Sequence, residues 1–172
     1  MNKIVVIGCG NVGMTYSFSL LNQFLNLNEL VLIDVDSEKL KGKVADLNHS
    51  IYNLNSSTKV KAGNYSDCNN ADIICITAGP AQSDIKTSRM EDLHKGNHIV
   101  KNIINEINKT NFSGIYLIAT NPLDVMTYVT WKYANCSPYK VIGSGTLLDT
   151  ARLRFVLSQK YNKPLSDITG WV

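Results

Sequence analysis

With 172 residues, 44% of them hydrophobic, the chain is long enough for one domain with a buried core. Seventeen basic residues against fourteen acidic ones leave a formal charge of +3. No basic run or aromatic interleaving indicates nucleic acid, and no apolar stretch approaches the roughly 20 residues that span a bilayer.

Lys3-Ile4-Val5-Val6-Ile7 is a β-branched apolar run, as expected of a strand covered on both faces, and it leads directly into Gly8-Cys9-Gly10-Asn11-Val12-Gly13. A helix follows, then a second apolar run, Leu30-Val31-Leu32-Ile33, closed by Asp34. Strand, glycine turn, helix, strand and acid in this register define a dinucleotide-binding unit. Gly8 permits the tight turn, Gly10 lets backbone N–H groups reach a pyrophosphate, and Gly13 lets the helix pack on the sheet. Asn11 and Val12 open the helix whose N-terminus supplies positive potential. Asp34 is placed to accept hydrogen bonds from an adenosine ribose and to repel a 2'-phosphate, so NAD is favoured over NADP.

Ser37 is available as N-cap of a second helix running to about Asn48, and Asn53 to Ser57 reads as a polar connection. Thr58–Ala62 and Asp72–Thr77 are the third and fourth strands, the latter closed by Ala78-Gly79-Pro80. A long helix from about Met90 to Asn108, a strand at Gly114–Ala119 and a helix from Pro122, placed at its first position, through Tyr133 come next. Lys140–Gly143 is the sixth strand and Leu147 to about Tyr161 the last helix. Alternating strands and helices demand an α/β fold: a doubly wound, six-stranded parallel Rossmann sheet of order 3-2-1-4-5-6, with helices on both faces. Ligands should lie at the carboxyl ends of its strands, where Thr77, Ala78, Gly79, Thr120 and Asn121 join the glycine turn.

Ile76-Thr77-Ala78-Gly79, Ala119-Thr120-Asn121-Pro122-Leu123-Asp124 and Val141 through Arg152 resemble the L-lactate and L-malate dehydrogenase family along essentially the whole chain. The resemblance implies hydride transfer between NADH and a small 2-oxo acid, L-lactate being the first substrate and L-malate or L-2-hydroxyisocaproate the rivals. It implies that Asp149 orients a catalytic histidine, Arg152 grips the substrate carboxylate, and Asn121 contacts the reacting oxygen and the cofactor. From the residues alone, Asn121 could instead cap a helix, and Asp149 with Arg152 could form only a surface ion pair.

Pro80 to Met90 resembles the family's closing loop, in which Arg89 polarises the carbonyl and the neutral Gln82 suits a substrate without a second carboxylate. The loop is slightly longer than in ordinary lactate dehydrogenases and resembles a hydroxyisocaproate-type branch, where the arginine position falls at Met90. Arg154 matches a basic residue of a fructose bisphosphate site whose histidine partner position holds Thr169, leaving Arg154 as a plain helix charge in the alternative reading.

The family's histidine lies in a Gly-Glu-His-Gly segment after the stretch matching Thr169–Val172, and His49, His94 and His98 match no catalytic position. His94 and His98 share helical spacing without a third ligand, so no metal is expected. Residues 1–145 read as the cofactor domain and 146–172 as a connecting helix and the start of a substrate domain. Residues 1–172 alone are thus expected to bind cofactor without turnover, and to self-associate through Leu147, Leu148, Phe155, Val156 and Leu157. The implied whole protein is a cytoplasmic homo-oligomer, tetrameric, with four reduced cysteines. A regulatory NAD-sensing domain, such as those of potassium transport systems, shares the Met1 to Asp34 pattern and is the alternative from another class.

Overall fold

A computed structural model describes residues 2–23, 26–54, 56–80 and 89–172. Among them are six strands, β1 (Lys3–Ile7), β2 (Glu29–Ile33), β3 (Lys59–Ala62), β4 (Ile73–Ile76), β5 (Ile115–Ile118) and β6 (Val141–Gly143). Five α-helices alternate with them: α1 (Asn11–Gln23), α2 (Ser37–Leu54), α3 (Arg89–Ile107), α4 (Leu123–Tyr133) and α5 (Leu147–Tyr161). The strands form one sheet of order β3-β2-β1-β4-β5-β6, and every neighbouring pair is parallel, the arrangement expected from the alternation.

Residue parity explains why the strand sequences are apolar without interruption. Val5 is in register with Val31 and Ile74, and this row packs with Ile104 of α3 and Met126 of α4. Val6, Leu32 and Cys75 form the opposite row, packed with Leu21 of α1 and Leu40 of α2. Successive side chains point to opposite faces, and both faces are roofed by helices, so a polar residue at either parity would be stranded.

The structure departs from the sequence reading at several ends. α2 runs to Leu54 rather than stopping near Asn48, because Ile51 and Leu54 continue the inward stripe begun by Leu47, so Asn53 and Leu54 are helical. Its N-cap is Asp36, whose carboxylate accepts the Lys39 amide at 3.1 Å, and Ser37 is the first helical residue. Pro122 is the cap of α4, with extended backbone, rather than its first residue. β3 starts at Lys59, after Thr58 gives its hydroxyl to the Leu27 carbonyl. β4 omits Asp72, whose carboxylate takes the Asn2 and Lys3 amides, and Thr77, whose hydroxyl turns to the Gly8 carbonyl. β5 lacks Gly114 and Ala119, and Lys140 belongs to a 3-10 turn before β6.

All four cysteines are free; Cys9, Cys68 and Cys75 are buried, and Cys136 is half-buried. Burial pushes the first three thiols up to about 12, with the Asp34 carboxylate adding to the rise at Cys9 and Lys43 opposing it. At pH 8 a thiol reagent should therefore modify native protein first at Cys136, the other three reacting only on unfolding; peptide mapping after timed alkylation checks this order. A raised folded pKa stabilises below the unfolded value and is lost above it, so these thiols should make stability fall as pH climbs from about 9 toward 12. Truncating the fully buried Ile104 to Ala should cost about 2–5 kcal/mol in urea unfolding, whereas Lys41→Ala on the exposed face of α2 should stay within about 0.5 kcal/mol.

Candidate dinucleotide site

β1 ends in a turn that only glycine can make at its first position. Gly8 has φ +94°, its amide donates to the Ile33 carbonyl at 2.8 Å, and a Cβ there would strike the Ala78 backbone. A Cβ on Gly13 would collide with the Gly8 carbonyl and come within 2.7 Å of Thr77 Oγ1, so this glycine seats α1 against the strand crest. Gly10 differs: a Cβ there meets nothing within 4 Å. The space above Gly10 is open, beside the exposed Asn11 and Val12 that start α1, where first-turn N–H groups lack helical acceptors. An anionic group fits this cradle, and a side chain at position 10 would fill it.

Asp34 follows β2 immediately. Its Oδ2 accepts the Cys9 amide at 2.6 Å and its Oδ1 the Asp36 amide at 3.1 Å, which pins the half-buried carboxylate beside the glycine turn. β4 contributes Thr77 and Ala78, whose amides both donate to the Ile7 carbonyl at 2.9 and 3.0 Å, while the Thr77 hydroxyl donates to the Gly8 carbonyl. A Cβ on Gly79 would lie 2.8 Å from the hydroxyl of the buried Thr120, so the exits of β4 and β5 touch. Gly8 to Gly13, Asp34, Thr77 to Gly79 and Thr120 thus gather at the carboxyl ends of four adjacent strands. Asn121 is exposed at the same edge, and α4 has no side-chain cap, which removes the reading of Asn121 as a helix cap.

Asp149 and Arg152 lie on the first turns of α5, after the exit of β6. They are exposed and paired with each other, Nη1 to Oδ1 at 3.2 Å. Arg154 is not a free helix charge: its Nε donates to the Gly170 carbonyl at 3.0 Å and its guanidinium stacks 4.5 Å from the Trp171 ring. Leu147, Leu148, Phe155 and Val156 of α5 are each more than half exposed, and Leu157 is half-buried. Gln82 lies outside the described residues, as do the side chains of Arg89 and Met90, although Arg89 begins α3. His49, His94 and His98 are exposed on α2 and α3, and among the described residues no group of three His, Cys, Asp or Glu is placed to hold a metal.

One charged residue escaped the sequence reading. Lys43 Nζ donates to the Cys9 carbonyl at 2.5 Å, so α2 reaches onto the glycine turn. The available signal was its spacing: three residues after Leu40 and next to Val44, Lys43 borders the inward stripe, from which a long side chain can extend over the end of the sheet.

This crest is that of a dinucleotide-binding domain built on a doubly wound sheet. Comparison with known proteins narrows the class: the family model for the lactate/malate dehydrogenase NAD binding domain matches residues 2–143, and the chain belongs to that family. It is 44% identical over 171 residues to L-lactate dehydrogenase of Halalkalibacterium halodurans, covering 99% of this chain and 54% of that protein. It is 47% identical over 161 residues to L-lactate dehydrogenase 1 of Staphylococcus aureus, covering 94% and 50%. Among solved structures, the ligand-bound minor L-lactate dehydrogenase of Enterococcus mundtii superposes with TM-score 0.91 at 32% identity, covering 99% of this chain and 54% of that one. A lactate dehydrogenase from a Medee basin deep-sea metagenome library gives 0.87 at 41%, covering 96% and 52%. The chain spans about half the length of the curated relatives it matches. Family membership supports NAD as the cofactor and displaces the regulatory NAD-sensing reading.

The glycines make separable predictions. Gly10→Ala should leave the unfolding temperature nearly unchanged and weaken NADH about tenfold, because its methyl enters only the cradle. Gly13→Ala should lose about 1–3 kcal/mol of stability as well, through its clash with the Gly8 carbonyl. Thermal scans and fluorescence titration of NADH on both variants check the contrast.

Proposed function

We propose that the protein acts as an L-2-hydroxyacid dehydrogenase, with L-lactate as its substrate and NAD as its cofactor. What carries the reading is the joining of a diol-type acid, Asp34, to the open glycine cradle in a chain whose curated relatives at 44% and 47% identity are L-lactate dehydrogenases. Residues 1–145 form the cofactor domain in this reading, and 146–172 lead into the substrate domain.

The roles divide by chemistry. Gly8, Gly10, Asn11, Val12 and Gly13 receive the diphosphate, Asp34 takes the ribose hydroxyls, and Thr77, Ala78, Gly79, Thr120 and Asn121 line the remainder of the cofactor's path. The bound cofactor would carry the hydride, NADH giving it to the 2-oxo acid in reduction and NAD+ taking it from L-lactate in the reverse direction. In reduction, Arg152 turns its planar fork to the substrate carboxylate, using donors that its single contact with Asp149 leaves free. Asn121 holds the reacting oxygen, Arg89 polarises the carbonyl, and Gln82 presents a neutral amide to the methyl end of the substrate. Asp149 fixes the tautomer of the proton-donating histidine, which the family carries in a segment other than residues 1–172.

The four free cysteines suit a reducing compartment, and the exposed apolar residues of α5 offer a face for assembly. We therefore take the intact protein to be a cytoplasmic homo-oligomer, tetrameric in the simplest arrangement. For the product of the complete gene, kcat/KM should be highest with L-lactate among lactate, 2-hydroxyisocaproate and malate. Arg152→Lys should lower it about 100-fold or more, since an ammonium cannot grip both carboxylate oxygens in one plane. A preference for malate, or an Arg152→Lys enzyme of undiminished activity, would overturn the assignment.

A further inference from the structure

Two charges meet on a single residue of the glycine turn. The Cys9 amide donates to Asp34 Oδ2 at 2.6 Å, and the Cys9 carbonyl accepts from Lys43 Nζ at 2.5 Å. Nearby, Lys39 is paired with Asp36 at 2.9 Å, and the Asp36 amide donates to Asp34 Oδ1. Of the four charges at this corner, Lys39 and Asp36 cancel each other. Lys43 forms no ion pair among the described residues, so its ammonium and the Asp34 carboxylate engage the two backbone groups of one residue, Cys9.

We propose that Lys43 is a specificity-determining residue of the dinucleotide site: its charge offsets Asp34 and softens the discrimination against a 2'-phosphate, so that the protein accepts NADPH as a second, weaker cofactor. The inference rests on the dinucleotide reading of the site. Asp34 acts on the two cofactors through interactions of different range. A ribose diol is held by short hydrogen bonds to the carboxylate, which a neighbouring cation leaves in place. A 2'-phosphate is disfavoured by Coulomb repulsion, which falls slowly with distance and depends on the net charge of the corner. A half-buried ammonium fixed to the turn therefore cancels much of the second effect while sparing the first. The same cation adds attraction for the diphosphate common to both cofactors.

Fluorescence titration of the purified protein with NADH and with NADPH tests this, because it reads binding without turnover. The wild type should bind both, NADH more tightly. Lys43→Gln and Lys43→Met should raise the ratio of the NADPH to the NADH dissociation constant about fivefold, the factor a unit charge at about 4 Å exerts through water. Lys43→Glu should raise it further, and Lys43→Arg should restore it. Met retains the aliphatic stem and serves as the second neutral variant if Gln impairs folding in thermal scans. A ratio unchanged within about twofold in the neutral and acidic variants, or a wild type that binds NADH and shows no NADPH binding, overturns the role of Lys43 alone. A wild type that binds neither nucleotide overturns the dinucleotide reading along with it.

Discussion

Two elements converge on the carbonyl with which β1 opens its turn, that of Gly8. Gly13 of α1 lies against it so closely that no Cβ fits between, and the hydroxyl of Thr77, at the end of β4, donates to it. Because Gly8 also takes a positive φ and its amide pairs with Ile33 at the end of β2, a single residue sets the relative height of β1, β2, β4 and α1. Positive potential at a helix start decays within about a turn, so an anion feels it only if the helix begins where the anion rests. The packing contact at Gly8 is therefore the condition for any electrostatic use of α1.

The second layer of organisation is the carboxylate of Asp34. Two backbone amides hold it in place, one from the glycine turn and one from the start of α2. α2 in turn is fixed by its apolar stripe through Leu40, Leu47, Ile51 and Leu54 against the sheet face that carries Val6, Leu32 and Val60. The ribose recognition proposed for Asp34 thus depends on core packing some distance away, because that packing decides where α2 begins and hence where its cap and Lys43 stand.

Much of this was legible in the sequence, for definite reasons. A sheet roofed on both sides requires unbroken apolar strands, so β1, β2 and β4 announce themselves, and strict alternation with helices leaves few topologies besides the order found. The glycine triplet and Asp34 were readable because their roles follow from backbone geometry and from distance along the chain. What was hidden depends on three-dimensional neighbours. Asn53 and Leu54 look like a polar linker until Ile51 and Leu54 are seen to have a partner surface. Asp36 and Ser37 are both good caps, and only the hydrogen bond to the Lys39 amide chooses between them. Lys43 is marked by its spacing only as a residue at the border of the α2 stripe, and that Cys9, 34 positions away, lies beneath it follows from the fold alone.

The pair of Asp149 and Arg152 shows how little a contact distance says about purpose. Both side chains are exposed, the geometry is a single prong at 3.2 Å, and i, i+3 pairs of this kind stabilise a helix by a few tenths of a kcal/mol at most. Folding alone therefore gives weak reason to place a planar cation beside a carboxylate where α5 leaves the sheet. In the proposed enzyme each has a stronger partner: a substrate carboxylate can occupy two donors of the guanidinium in one plane, and an imidazolium can lend Asp149 a charge-assisted bond in a site shielded from water. Such partners would compete for both side chains and exceed the surface pair in strength, because that pair is weak, solvated and made with one donor. On this view the contact in the structure is a resting arrangement that keeps two reactive charges side by side on a rigid helix until substrate and histidine separate their roles.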